Sequence, residues 1–369
     1  MKRYLRLSII RKLPLFVVLS VLLLTVAFVS ASNVEFEVGD YYHYYYRTVS
    51  PASGTGGLIG TFFMITATLP FFSMNYRYSL GKSDLYRQVA FKEKRIRYGE
   101  HLSSLIIVCI AYTIALSIQV ATLAVRNYII AESPDFYLYY GWFIPLYFTC
   151  LVVGTGLYFI SYLLVSRSNV FINSLLIFCL GYTFFNCINY VVVAYCTRNI
   201  TEASFFLQGP SAIGAISYVA QEFEGLICEN QLLLPMMKST EWQYNPAFFA
   251  CIVEFILLAA LGIVAFIIEK DPSSEWAGKP DSDKPYQEIL FHAGFGTIGL
   301  MIGTIMSGSI FGTIMSLLFY VIFGASYYTL YGLLRRNFKL KGYQFGIVFG
   351  NVGLSIIAGF IFMATGFEY

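Results

Sequence analysis

Residues 75–101 read NYRYSLGKSDLYRQVAFKEKRIRYGEH. The stretch holds seven of the chain's 24 Lys and Arg and interrupts a sequence that is otherwise mostly lipid-soluble. Residues 56–73 before it and 102–125 after it carry no charge. Each is long enough for a bilayer, whose hydrocarbon core of roughly 30 Å takes about 20 apolar residues in a helix. A basic loop between two such spans belongs on the cytoplasmic side. Residues 83–98 contain no Pro or Gly, so a short amphipathic helix is expected there, with Leu85, Val89, Phe91 and Ile96 as its apolar contacts. The loop is read as the place where a cytoplasmic partner pushes on the membrane part.

Composition supports the same class. Of 369 residues, 57% are hydrophobic and 12% are charged, against about 25% charged in a soluble protein. Apolar runs of this length suit helices, since barrel strands are half as long. The expected fold class is therefore an all-α polytopic membrane protein. Nine spans are expected, at 13–30, 56–73, 102–125, 142–165, 170–196, 247–268, 289–306, 310–333 and 345–365. With that assignment, loops on the side of the N-terminus hold 20 Lys and Arg and those opposite hold 4. The N-terminus is then inside and the C-terminus outside.

The start MKRYLRLSIIRK is expected to lie as an interfacial helix leading into a retained first span. A signal peptide cleaved near Ser30-Ala31-Ser32 is the competing reading, disfavoured because the apolar core is longer than a usual h-region. Residues 32–55, with YYHYYY at 41–46, are expected as an outer loop near the headgroups. Residues 197–245 form a longer outer segment whose apolar pieces suit short re-entrant helices. Gly299-x-x-x-Gly303 and Gly308-x-x-x-Gly312 are expected to bring spans seven and eight close together. The seven Cys are read as small core residues, with a Cys196–Cys228 disulfide on the outer side as the alternative.

No nucleotide-binding loop is present: Gly81-Lys82-Ser83 has the right ending, but Tyr76 stands where its first Gly would be. No hydrolase or zinc-protease motif occurs, and three His make a His-based metal site unexpected. No catalytic constellation, metal or cofactor is expected. Glu254 is the one acid well inside an apolar span, where a charge costs about 3 kcal/mol on insertion scales. It is read either as lining a translocation path, with Asn186 and Asn189, or as a structural hydrogen bond to a span-five Asn.

The order of these features resembles the ABC-2-type transporter permeases. That family has an N-terminal interfacial helix, six spans, a cytoplasmic coupling helix between spans two and three, and re-entrant outer helices before span six. Ser83-Asp84-Leu85-Tyr86 followed by Lys92-x-Lys94-Arg95 resembles the S-x-D-L-Y-x-S-L-P-x-x-R-K-x-L loop of permeases from Gram-positive bacteria, with Val89-Ala90 in place of Leu-Pro. Ser274-Glu275-x-Ala277-Gly278 and the final Gly366-Phe367-Glu368 resemble two further elements of that group.

The resemblance implies a six-span core over 1–268, including the coupling loop 75–101 and the outer segment 197–245, and a C-terminal membrane extension of three spans over 269–369. It implies a multi-pass protein of the bacterial cell membrane. Its partners would be a separate ATPase subunit that powers export and a second permease subunit. Contacts to the ATPase would come from Lys82, Ser83, Asp84, Leu85, Tyr86, Arg87, Phe91, Lys94, Arg95 and Glu100. The basic charges equally suit anionic headgroups. The alternatives are a secondary transporter using Glu254 and a non-transporting membrane sensor or immunity protein.

Overall fold

The computed structural model describes residues 2–32, 36–41, 44–49, 56–78, 93–130, 143–166, 168–197, 246–269, 285–306, 310–335, 337–339 and 342–364. Most of the expected coupling loop (79–92) and of the outer segment (198–245), with Cys228, lie outside the described residues. So do residues 270–284 and the Gly366-Phe367-Glu368 end.

The chain forms two compact units that do not follow chain order. The first comprises Met1–Ser73, Ala90–Ile160 and Ala215–Val264; the second comprises Met74–Val89, Ser161–Gly214 and Ala265–Tyr369. Among the described residues there are ten α-helices and one β-hairpin.

In the first unit, α1 (Lys2–Arg11) is separated from α2 (Leu13–Ser32) by a single turn residue, Lys12. Pro14 accounts for the break, because it offers no amide hydrogen and its ring crowds the preceding turn. Strands β1 (Phe36–Tyr41) and β2 (Tyr44–Val49) pair antiparallel from Phe36↔Val49 to Tyr41↔Tyr44. This hairpin stands where a plain outer loop was expected; outside it the described elements are all helical. The tyrosines that suggested headgroup contact also favour strands, as do the Val, Thr and Phe around them.

Helix α3 (Gly56–Ser73) is followed by α4 (Glu93–Ile130), whose 38 residues run about 57 Å. That exceeds the hydrocarbon core, so α4 reaches beyond it. Residues 93–98, expected as the end of a separate amphipathic helix, are instead the first turns of α4. Helix α2 packs along α4, with Leu23, Ala27 and Ala31 buried. Phe62 of α3 stacks on Tyr112 of α4 at 4.1 Å. Arg126 of α4 donates to the α2 carbonyls of Ala31 at 2.5 Å and Ser32 at 2.6 Å, capping that helix end. Most of α5 (Phe143–Val165) and α7 (Pro246–Ile268) complete this unit. The two pack where Gly262 meets the Phe159 carbonyl, an approach that leaves no room for a side chain.

The second unit holds α6 (Phe171–Thr197), α8 (Pro285–Met306), α9 (Ile310–Arg335) and α10 (Gly342–Ala364). Its core is an aromatic stack of Phe291, Phe295, Phe323, Tyr327 and Tyr331, closed by Ile177 and Leu180 of α6. Asn173 is buried and donates to Leu334 O at 3.1 Å, as expected of an in-membrane Asn facing another helix. The Gly299/Gly303 pair serves α10 more than the expected partner, span eight. A Cβ at Gly303 would stand 2.6 Å from Ser355 O, and Gly359 faces it from the same helix.

Helices Leu13–Ser32, Gly56–Ser73, Phe143–Val165 and the stretches Lys94–Arg126, Phe171–Ile188 and Gly342–Ile361 are long and apolar enough to cross a membrane. Val18, Val21 and Phe28 on α2, and Phe349 and Leu354 on α10, are more than half exposed. A soluble surface rarely carries so much contiguous apolar area. The chain is a multi-pass membrane protein. Helices α7, α8 and α9 stand where spans six, seven and eight were expected.

Replacing Gly303 with Val should cost about 1–3 kcal/mol by forcing α8 from α10. Gly346→Val, where no atom lies within 4 Å, should be near neutral. Thermal unfolding of the two purified variants in detergent measures the difference.

Candidate functional site

The described ends of the basic loop are both fixed by buried charge. At its far end, Glu100 sits on the second turn of α4 and is 2% exposed. Its carboxylate accepts from Tyr4 Oη at 2.9 Å and Arg11 Nη2 at 2.5 Å, and lies 3.0 Å from Lys12 Nζ. Lys12 Nζ also donates to the Glu100 carbonyl, Ser103 Oγ and Ser104 Oγ. Ser73, the last residue of α3, donates to Ser104 at 2.9 Å. Ser8 of α1 meets Ser103 at 2.8 Å, and Tyr4 lies so close over Gly99 that only Gly fits beneath the ring. Burial pushes the Lys12 ammonium below its ordinary pKa, while the Glu100 carboxylate pulls the other way. One carboxylate thus ties α1, the α1–α2 turn and α4 together.

At its near end, Arg77 lies in the 3₁₀ turn Asn75–Tyr78 and is also 2% exposed. It donates to Ser166 O at 2.8 Å and pairs with Glu269 at 3.4 Å. Tyr162 Oη donates to the other Glu269 oxygen at 2.6 Å. The loop therefore starts against the ends of α5 and α7 within the second unit and finishes against α1 within the first.

Of the expected coupling residues, Lys94 and Arg95 are exposed on the first turn of α4. Glu100 faces inward, to the N-terminal segment. Lys82, Ser83, Asp84, Leu85, Tyr86, Arg87 and Phe91 lie outside the described residues. The expected path residues are divided. Glu254 is half-buried on the part of α7 in the first unit, roughly a quarter turn from the Phe255–Gly262 ridge that packs on α5. Asn186 belongs to the second unit, where its Oδ1 is buried and accepts no hydrogen bond. The Asn189 and Cys196 side chains lie outside the described residues.

A second polar assembly joins the last three helices. Glu288 of α8 pairs with Arg335 of α9 and accepts from Tyr331 Oη at 2.6 Å, and Gln344 of α10 donates to that hydroxyl at 2.7 Å. One turn further along α8, His292 Nδ1 meets Tyr327 Oη. Asn351 Nδ2 approaches His292 O at 3.5 Å and Tyr327 Oη at 3.4 Å. Beside this layer lies a groove of about 610 Å³, lined by Phe184, Gly296, Leu300, Leu354 and Ile361 with His292, Thr297 and Asn351 as polar members. Among the described residues, no three His, Cys, Asp or Glu come together as a metal-ligand set.

Several of these residues escaped sequence reading. Tyr4 and Lys12 meet Glu100, and Ser8 meets Ser103, each across more than 85 positions. The local signal was the Glu100-Ser103-Ser104 spacing, a polar stripe at the start of an apolar helix. Arg77–Glu269 spans 192 positions and carries no local signal. No protein-family model, curated protein or solved structure matches the chain.

Glu100→Ala strands a buried Lys12 ammonium and should cost at least about 3 kcal/mol. Arg11→Ala, at a side chain 55% exposed, should cost less than about 1 kcal/mol. Unfolding midpoints of the two variants separate a buried tether from a surface pair.

Proposed function

We propose that the chain is the membrane-spanning subunit of an ATP-binding cassette transporter of the ABC-2 type. It would move a substrate outward with energy from a separate ATPase subunit, as one of two permease subunits in a bacterial cell membrane. The observation that carries this reading is the mounting of the basic loop. Loops with many cations are ordinarily solvated and mobile. This one is fastened at Arg77 through Ser166 and Glu269, and at Glu100 through Lys12, Arg11 and Tyr4.

A partner gripping such a loop displaces helices rather than a tether. At one end the load reaches α5 and α7; at the other it reaches α1, α2 and α4. Lys94 and Arg95 remain exposed on the first turn of α4, where a cytoplasmic surface can meet them. The contact proposed for the ATPase also uses Lys82, Ser83, Asp84, Leu85, Tyr86, Arg87 and Phe91. Glu100 takes a different part from the other residues of that set: it holds the loop's base instead of meeting the partner. Glu254, within the first unit, is the residue assigned to the substrate path.

The test is recovery of the tagged full-length chain from its native membranes. A nucleotide-binding subunit should co-purify, and its ATP turnover should rise when the two are reconstituted. Leu85→Glu combined with Phe91→Glu should abolish both effects while the chain stays inserted and folded. Retention of the ATPase by that variant overturns the proposal. So does labelling of a cysteine at Gly81 from outside intact cells. Transport driven by a proton gradient alone and lost in Glu254→Gln would assign the chain to secondary transporters instead.

A further inference from the structure

The groove between α6, α8 and α10 lies within the second unit and takes no part in the loop mounting. Its volume of about 610 Å³ falls in the range of small-molecule sites, roughly 300–1,000 Å³. Its walls are apolar except for His292, Asn351 and Thr297, whose hydroxyl is bonded within α8. Leu354, Ile357 and Ile361 line it and are each more than half exposed on a membrane-spanning helix. A groove with such a rim opens sideways to hydrocarbon rather than to water.

The polar residues form two layers. The outer layer is Glu288, Arg335, Tyr331 and Gln344. Exposed Phe338 and Tyr343 flank it, and aromatics of this kind mark the headgroup level. The connection from α9 to α10 carries Arg335, Arg336, Lys339 and Lys341 and no acid, and Lys339 is exposed. The inner layer is His292, Tyr327 and Asn351, four residues deeper on α8 and α9 and hence about 6 Å further in. Here the Asn351 amide reaches its acceptors only at 3.4 and 3.5 Å. Those bonds are long, and a donor in a low-dielectric site gains from a nearer acceptor.

Cationic charge at the headgroup level, an amide donor held only by long hydrogen bonds about 6 Å below it, and an apolar channel beside that donor match one kind of molecule. We propose that the groove holds an anionic phospholipid, its phosphate at Arg335 and Lys339, an ester carbonyl at Asn351, and one acyl chain along Leu300, Leu354 and Ile361. The site is independent of the ATPase reading, since nothing in it uses the basic loop at 75–101.

The test is native mass spectrometry of the full chain in mild detergent, titrated with dioleoyl phosphatidylglycerol or dioleoyl phosphatidylcholine. One phosphatidylglycerol should bind per chain and survive delipidation, about tenfold tighter than phosphatidylcholine. Lys339→Glu should erase that preference. Gly296→Leu places its side chain in the groove, and the Cβ itself meets nothing nearer than Asn351 Oδ1 at 3.5 Å. It should remove the bound lipid, and Asn351→Leu should weaken it in case Gly296→Leu does not fold. Equal lipid retention by wild type, Gly296→Leu and Asn351→Leu overturns the site and leaves only annular lipid. Equal affinity for the two lipids, or preferential capture of an uncharged apolar solute, overturns the anionic assignment.

Discussion

A carboxylate buried at the edge of a membrane must be matched or neutralised, and the first unit is arranged around the way Glu100 meets that demand. Its two oxygens are shared among a tyrosine, an arginine and a lysine drawn from the first twelve residues. The Lys12 ammonium then uses its remaining reach on Ser103, Ser104 and the Glu100 carbonyl. Removing Glu100 leaves the Lys12 ammonium charged with little water to meet it. The N-terminal helix is therefore part of the folded body, and the start of α4 is set by it.

The second unit solves the same problem differently. Instead of one concentrated ion pair, it spreads polar groups along three helices: Glu288, Arg335 and Gln344 at one level, His292, Tyr327 and Asn351 at the next. Tyrosine hydroxyls join the members, so each layer is tied across helices without a free charge at depth. Glycine at 299 and 303 lets α8 and α10 approach closely enough for Ser355 to sit between them. Arg77 and Glu269 repeat the concentrated solution at the start of this unit, with Tyr162 as the third member.

The sequence carried the spans legibly because lipid imposes length and composition on each of them separately. The charge-free runs at 13–30 and 56–73 became α2 and α3 almost to the residue. The hairpin at 36–49 was not foreseen, since tyrosines near a membrane read equally as belt or strand. The candidate site was only half legible. Asn173 bonds another helix, as an amide inside a span ordinarily does. Glu100 entered the expected coupling set through a resemblance; its partners Tyr4, Arg11 and Lys12 lie 88 to 96 positions away, and only the fold brings them within reach. Asn351 passed unnoticed as one amide in an apolar run.

Helices α2 and α4 are joined at two heights. Glu100, Lys12 and Ser103 lock one end, and Arg126 closes over the last carbonyls of α2 at the other. The locks lie about 39 Å apart along α4, further than the bilayer's oily interior is thick. Neither helix can slip in register against the other without unmaking one of them. The pair is a strut: its two ends keep their spacing across a length greater than the oily interior.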